Sequence, residues 1–252
     1  MSAGTRPVRL VPLAGMPEVG PGADLAALVL AAAERAEIEL ANGALVVCQK
    51  IVSKAEGRVV ALADVEPSDE ARRIAEEDAK DPRHVELVLR ESIRLVRRGH
   101  GVMICETRHG FTCANAGVDL SNAPARDTAV LLPLDPDASA ATLRADLLAR
   151  GAGPLAVVVS DTFGRPWREG LVDVALGCAG MAPIDDQRGA VDRAGRELQV
   201  TATATADQLA AAAGLLMPKD SGIPAVWIEG LPIAGDGRIR DTLRTPENDL
   251  FR

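Results

Sequence analysis

Tyrosine is absent from this chain, and only three phenylalanines and two tryptophans supply aromatic rings. So few rings exclude a base-stacking platform for single-stranded nucleic acid and argue against a flavin-type cofactor clamped between rings. Basic charge is short as well, with 28 lysines and arginines against 36 carboxylates and a net charge of −8. That balance disfavours nonspecific binding to nucleic acid or to an anionic membrane, so an anionic ligand must meet cations gathered locally. No run of about 18 apolar residues occurs, so no transmembrane helix is expected. Met1 to Pro12 lacks the apolar core and cleavage site of a signal peptide. A cytoplasmic enzyme is the expectation.

Other absences narrow the chemistry. The four cysteines, Cys48, Cys105, Cys113 and Cys178, form no C-x-x-C pair and no zinc-ligand spacing. Reduced, buried thiols are expected instead. His84, His100 and His109 fall at no ligand spacing either. His109 stands beside Gly110 within reach of a site, although a surface or structural role is favoured. Neither G-x-G-x-x-G nor G-x-x-x-x-G-K-[ST] is found, so a nucleotide site here is of neither the Rossmann nor the P-loop type.

What is present is an ordinary globular composition, 47% hydrophobic and 25% charged over 252 residues. That length suits one large domain or two intimate lobes. Val8 to Leu13 reads as an edge strand, and Asp24 to Leu40 as an alanine-rich helix ending at Asn42-Gly43. Ala44 to Cys48 is a continuous apolar strand, followed by a loop from Gln49 to Lys54. Arg58 to Leu62 reads as a strand. Ser68 caps a helix over 69–79, and Asp81-Pro82 starts another that runs to about Val96 and buries Val85, Val88, Leu89 and Ile93. Further strands are expected at Gly101 to Cys105 and Val130 to Leu134, then a helix from Ser139 to Arg150. Asp185 to Arg196 reads as a charged loop that covers the site, and Thr201 begins a helix to about Met217, blocked by Pro218. Ala225 to Ile228 is a last strand before a polar surface tail. Irregular alternation of strands and helices points to a mixed α+β fold with packed helices.

Three stretches concentrate polar groups beside apolar or small residues. Gln49 to Lys54 carries Lys50 and Lys54, which simple solvation would also explain. Gly110 to Asn122 is small throughout and holds Asp119 between amides, a pattern shared with ordinary turns. Val157-Val158-Val159 runs into Ser160-Asp161-Thr162-Phe163-Gly164-Arg165-Pro166-Trp167-Arg168, where a buried strand gives out onto a carboxylate, hydroxyls and arginines. The bland alternative there is a turn capped by Asp161, with solvated arginines. Two aspartates and a hydroxyl suit a hard divalent ion that carries phosphate, and nearby lysines would neutralise the phosphate charge.

The stretches Val52 to Arg58, Ala114 to Asn122, Leu132 to Asp137, Ser160 to Arg165, Gly195 to Leu198 and Gly222 to Val226 resemble those of the F-420 gamma-glutamyl ligase family. The resemblance spans almost the whole chain in order, as a single catalytic module over 1–252. Some relatives carry a further nitroreductase-like C-terminal domain, for which this chain leaves no room.

This resemblance implies an α+β fold forming an intertwined homodimer. The activity it implies is GTP-dependent addition of L-glutamate to a deazaflavin phospholactate, the lactyl carboxylate of coenzyme F-420-0, followed by γ-linked glutamates. GTP would serve as co-substrate with two divalent cations, Mg2+ or Mn2+, and potassium as an optional further ion. By position, Asp119 and Asp161 resemble ligands of one metal and Thr162 a ligand of the second. Lys54 and Asn122 resemble nucleotide-binding residues. The turn Gly15-Met16-Pro17-Glu18, the pair Gln49-Lys50 and the loop holding Met217, Lys219, Asp220, Ser221, Gly222 and Ile223 correspond to the remaining GTP contacts.

In that loop some relatives place Gly and Glu after the methionine, where this chain has Pro218 and Lys219. Asp220 is then the nearest carboxylate for the second metal. Arg165 and Arg168 are added as anion clamps because guanidinium binds carboxylate and phosphate in a bidentate manner. Alternatives left open are a ligase using another amino acid or acceptor, a metal-dependent nucleotide phosphohydrolase, and a non-catalytic nucleotide-binding protein.

Overall fold

The computed structural model describes residues 7–250, so Met1 to Arg6 of the segment read for a signal peptide lie outside the described residues. In chain order the elements are β1 (Arg9–Pro12), α1 (Leu25–Arg35), β2 (Gly43–Cys48), α2 (Gln49–Ala55) and β3 (Val59–Ala61). Next come α3 (Asp69–Asp78), α4 (Pro82–Glu91), β4 (Ser92–Gly99), β5 (Val102–Thr107), β6 (Thr112–Ala114) and β7 (Thr128–Val130). The chain closes with α5 (Pro136–Ala149), β8 (Leu155–Arg165), β9 (Arg168–Ala179), β10 (Asp185–Asp186), β11 (Ala202–Thr203), α6 (Thr205–Gly214) and β12 (Ala225–Glu229).

The main sheet has the order β1-β12-β2-β8-β9. Its central pair, β2 and β8, is parallel with Val46 opposite Val158, and the other pairs are antiparallel. Leu45, Val47, Val157, Val159 and Trp227 pack with Val29 of α1 and Leu143 and Leu147 of α5. Their neighbours Ala44, Val46, Ala156, Val158 and Val226 pack on the opposite face with Leu209, Ala210 and Ala213 of α6. Both faces are covered, which is why these strands read as continuous apolar runs instead of alternating ones. A second core joins Ile74 of α3, Val85 and Val88 of α4 and Met103 and Cys105 of β5. This lobe carries the small sheets β4-β5-β6 and β3-β7. The α+β expectation, with mixed sheets and packed helices, holds.

Several expected boundaries move, each for a tertiary reason. Helix α1 stops at Arg35, and Glu37, at a φ of 56°, turns the chain five residues before Asn42. Gly43 is no helix cap; it opens β2, where a Cβ would lie 2.5 Å from the Trp227 ring. Helix α4 stops at Glu91 because Ser92 to Gly99 pairs with β5 instead, leaving Ile93 exposed rather than buried. The strand expected at Val130 to Leu134 lies two residues earlier, where Val59 pairs with Val130. Helix α6 begins at Thr205, since Ala202 and Thr203 pair with β10, and it ends at Gly214, ahead of Pro218.

Three corrections bear on function. Gln49 to Lys54 is not a loop but helix α2, with Gln49, Ser53 and Lys54 buried. Asp161 caps no turn: β8 continues to Arg165 and returns as β9, so Asp161 and Thr162 lie inside a hairpin. The tail is more than surface, because buried Asp137 accepts hydrogen bonds from the backbone of Cys178, Ile239 and Arg240 at 2.9, 2.8 and 3.2 Å. One carboxylate thereby ties α5, β9 and the tail together.

Candidate functional site

Helix α2 follows β2 without a connecting loop, which puts Lys50 and Lys54 on one helical face directly above the carboxyl ends of β2 and β8. Ligands of mixed sheets collect beyond such parallel strand ends. Here a cleft of about 540 Å³ opens there, lined by Lys50, Lys54, Ser160, Asp161, Thr162 and Asp173 among others. A larger cavity of about 870 Å³ lies at the opposite, amino ends of the same strands. Arg144 is its one charged lining residue among the described residues, so the smaller cleft is where the chemistry converges.

Each polar group in the cleft is held by its neighbours. The Lys50 ammonium pairs with the Asp119 carboxylate at 2.6 Å. Asp119 itself is fixed by a backbone bridge to Val130 and accepts from the Ser121 N–H at 2.7 Å. Burial is the largest single influence and opposes the charge on both. The hydrogen bond and the charge attraction between them, with smaller help from neighbours, together overcome it, so Lys50 is held above its usual pKa and Asp119 below. Lys54, buried, pairs with Glu18 from the loop after β1. Asn122, with a φ of 54°, donates from Nδ2 to the Lys219 carbonyl at 3.2 Å, joining two loops across the cleft rim.

Asp161 is the strained member. Burial pushes its carboxyl up to about 7; Lys50 works against this, and the neighbouring Asp119 and Asp173 add to it. Across the hairpin, Thr162 faces Asp173 and donates its hydroxyl proton to Asp173 Oδ1 at 2.7 Å. With that proton committed, Thr162 presents only lone pairs to a further partner, which suits a cation. Among the described residues no three His, Cys, Asp or Glu side chains stand together as a ready cage. A magnesium-type ion does not need one, since it binds through one or two carboxylates and leaves other positions to phosphate and water.

The structure brings together Met16, Pro17, Glu18, Lys50, Lys54, Asn122, Asp161, Thr162, Met217, Lys219, Gly222 and Ile223 in the cleft wall; Asp119 does not line it and is joined to it through its ion pair with Lys50. Other residues singled out from sequence do not line it. The Gly15 carbonyl accepts from Arg35 at 3.1 Å, and Gln49 is buried against Ser53 at 2.8 Å. Asp220 is exposed, and Ser221 bonds to its own turn at Pro218. Arg165 donates to the Glu169 and Gly170 carbonyls of its own hairpin, and Arg168 is exposed beside it. Asp185 to Arg196 contributes nothing to the lining. Sequence reasoning missed Asp173, Ser160 as a lining residue, and Cys48. The signal for Asp173 was present only in strand pairing, once β8 is known to run past Asp161.

Comparison with known proteins adds the family. Residues 15–230 match the family model described as F420-0:Gamma-glutamyl ligase. The chain is 46% identical over 250 residues to the coenzyme F420:L-glutamate ligase of Methanothermobacter thermautotrophicus, covering 97% of this chain and 99% of the relative. It is 44% identical to the protein of that name from Methanopyrus kandleri, covering 97% and 98%. The Archaeoglobus fulgidus protein of that name is 38% identical, covering 97% and 96%.

Proposed function

The chain belongs to the F420-0:gamma-glutamyl ligase family, and from that premise we propose that it joins L-glutamate to the lactyl carboxylate of coenzyme F420-0 at the expense of GTP. The observation that carries this reading is the cleft itself, where Lys50, Lys54 and Lys219 converge on Asp161, Thr162 and Asp173. Such a mixture suits a phosphate chain held by lysines and by divalent cations on carboxylates.

A carboxylate does not react with an amine until one of its oxygens becomes a leaving group. Transfer of the γ-phosphoryl group to that oxygen breaks its bond to the β-phosphate, releases GDP and makes an acyl phosphate. Attack by the glutamate amine then expels inorganic phosphate, and loss of the amine proton leaves the amide. Bound divalent cations would supply charge neutralisation on the phosphates. Asp119 and Asp161 would hold one of them, and Thr162 with Asp173 the other. Asp173 lines the cleft where Asp220 does not, which favours it as the second carboxylate. Lys54 orients the phosphate chain once it leaves Glu18. Most of the acceleration is positioning and electrostatics.

A homodimer belongs to the same reading. Support comes from apolar side chains left exposed on β4 and the β8–β9 hairpin, Ile93, Val96, Trp167 and Leu171. No described helix is long and apolar enough to cross a membrane.

The test is a defined reaction. Purified protein receives GTP, magnesium or manganese, L-glutamate and the deazaflavin lactyl phosphate, and products are followed by mass. Glutamate addition coupled to GTP consumption is expected. Phosphate release without glutamate addition would show a hydrolase instead.

A further inference from the structure

Ser160 is 1% exposed, and its Oγ has no hydrogen-bond partner. A buried hydroxyl left without a partner weakens a fold, so its retention calls for a partner that arrives later. Ser160 sits on β8 opposite Cys48 of β2, in the floor of the cleft, immediately before Asp161. Its situation is the reverse of that of Thr162, two residues on. The Thr162 proton is taken by Asp173, whereas the Ser160 proton is uncommitted. One hydroxyl is thus set to accept and the other is free to donate.

Resting on the function proposed above, we infer that Ser160 is a ligand-binding residue of this cleft, donating its hydroxyl proton to an anionic oxygen of the bound substrates. The chemistry is a phosphate oxygen of the nucleotide or a carboxylate oxygen of glutamate. Lys219, and Lys54 once it leaves Glu18, line the same cleft and offset the negative charge that Asp161 and Asp173 would set near such an oxygen. A hydrogen bond from a neutral donor to a charged acceptor is among the stronger kinds, and burial of the Ser160 hydroxyl strengthens it further.

The test is Ser160→Ala, which removes one oxygen and adds nothing. In the ligand-free protein the melting temperature should hold or rise, because an unsatisfied polar group is gone. A purely structural serine would instead lower it. Binding of GTP in the presence of magnesium, and of L-glutamate to the GTP-loaded protein, is then measured by calorimetry. A loss of roughly 10- to 100-fold in one of the two affinities is expected, and the affinity that falls identifies the anion. Equal affinities for both ligands in wild type and variant overturn the inference, as does a loss in Mn2+ binding without nucleotide, which would make Ser160 a metal ligand. If the wild-type protein itself binds no GTP, the proposed function fails first and the inference with it. Ser160→Thr, which keeps the hydroxyl, should restore part of the lost affinity.

Discussion

Replacing Asp161 by asparagine should make the metal-free protein more stable. A carboxyl held at about 7 in the fold, against 3.8 in an open chain, disfavours the folded state by about 4 kcal/mol at pH 8. The sign follows from proton counting. Between those two values the folded state binds the extra proton, so stability falls as pH rises from about 4 to 7, and the full cost applies above 7. Asparagine keeps the shape without the charge and escapes it. At pH 5 the gain shrinks to about 1–2 kcal/mol, because the native carboxyl is then mostly protonated. Thermal unfolding of Asp161→Asn and wild type in a chelator should therefore differ by roughly 10 °C at pH 8, and by much less at pH 5. Manganese should raise the wild-type transition by more than the variant's, since the cation at Asp161 takes up the charge that burial penalises while the Thr162–Asp173 position is kept in both. A variant no more stable than wild type at pH 8, or a gap independent of pH, would refute the reasoning.

Lys50→Met should destabilise the fold by about 2 kcal/mol, because it strands Asp119 partly buried beside Asp161; chemical denaturation reads this. Glu18→Gln should leave the melting temperature almost unchanged, since Glu18 is exposed, yet tighten GTP binding in calorimetry by freeing Lys54. Gly177→Ala would set a Cβ 2.1 Å from the Pro136 carbonyl oxygen, forcing β9 off the start of α5. A loss of about 3 kcal/mol in denaturant titration is expected. Asp173→Ala should weaken Mn2+ binding, measured by electron paramagnetic resonance, because Thr162 loses the partner that turns its lone pairs outward.

Much of this protein could be read directly from its sequence. Continuous apolar runs marked β2, β8 and β12, and the caps at Ser68 and Asp81 marked two helix starts. These signals are local, because a run or a cap acts within a few residues of itself. Asp119, Asp161, Thr162, Lys50 and Lys54 stood out too, being polar groups crowded beside buried or small segments. Tertiary structure decided the rest. Ser92 to Val96 reads as the end of a helix by itself and joins a strand only because β5 lies alongside to pair with it. Arg165 and Arg168 looked like clamps, but the hairpin turns one onto its own carbonyls and leaves the other exposed beside it. Asp173 is unremarkable in sequence and becomes a cleft carboxylate because the hairpin register sets it across from Thr162. The contrast between a Thr162 proton already given away and a Ser160 proton still free is likewise a matter of which groups folding brings within hydrogen-bond distance, and no local pattern carries that information.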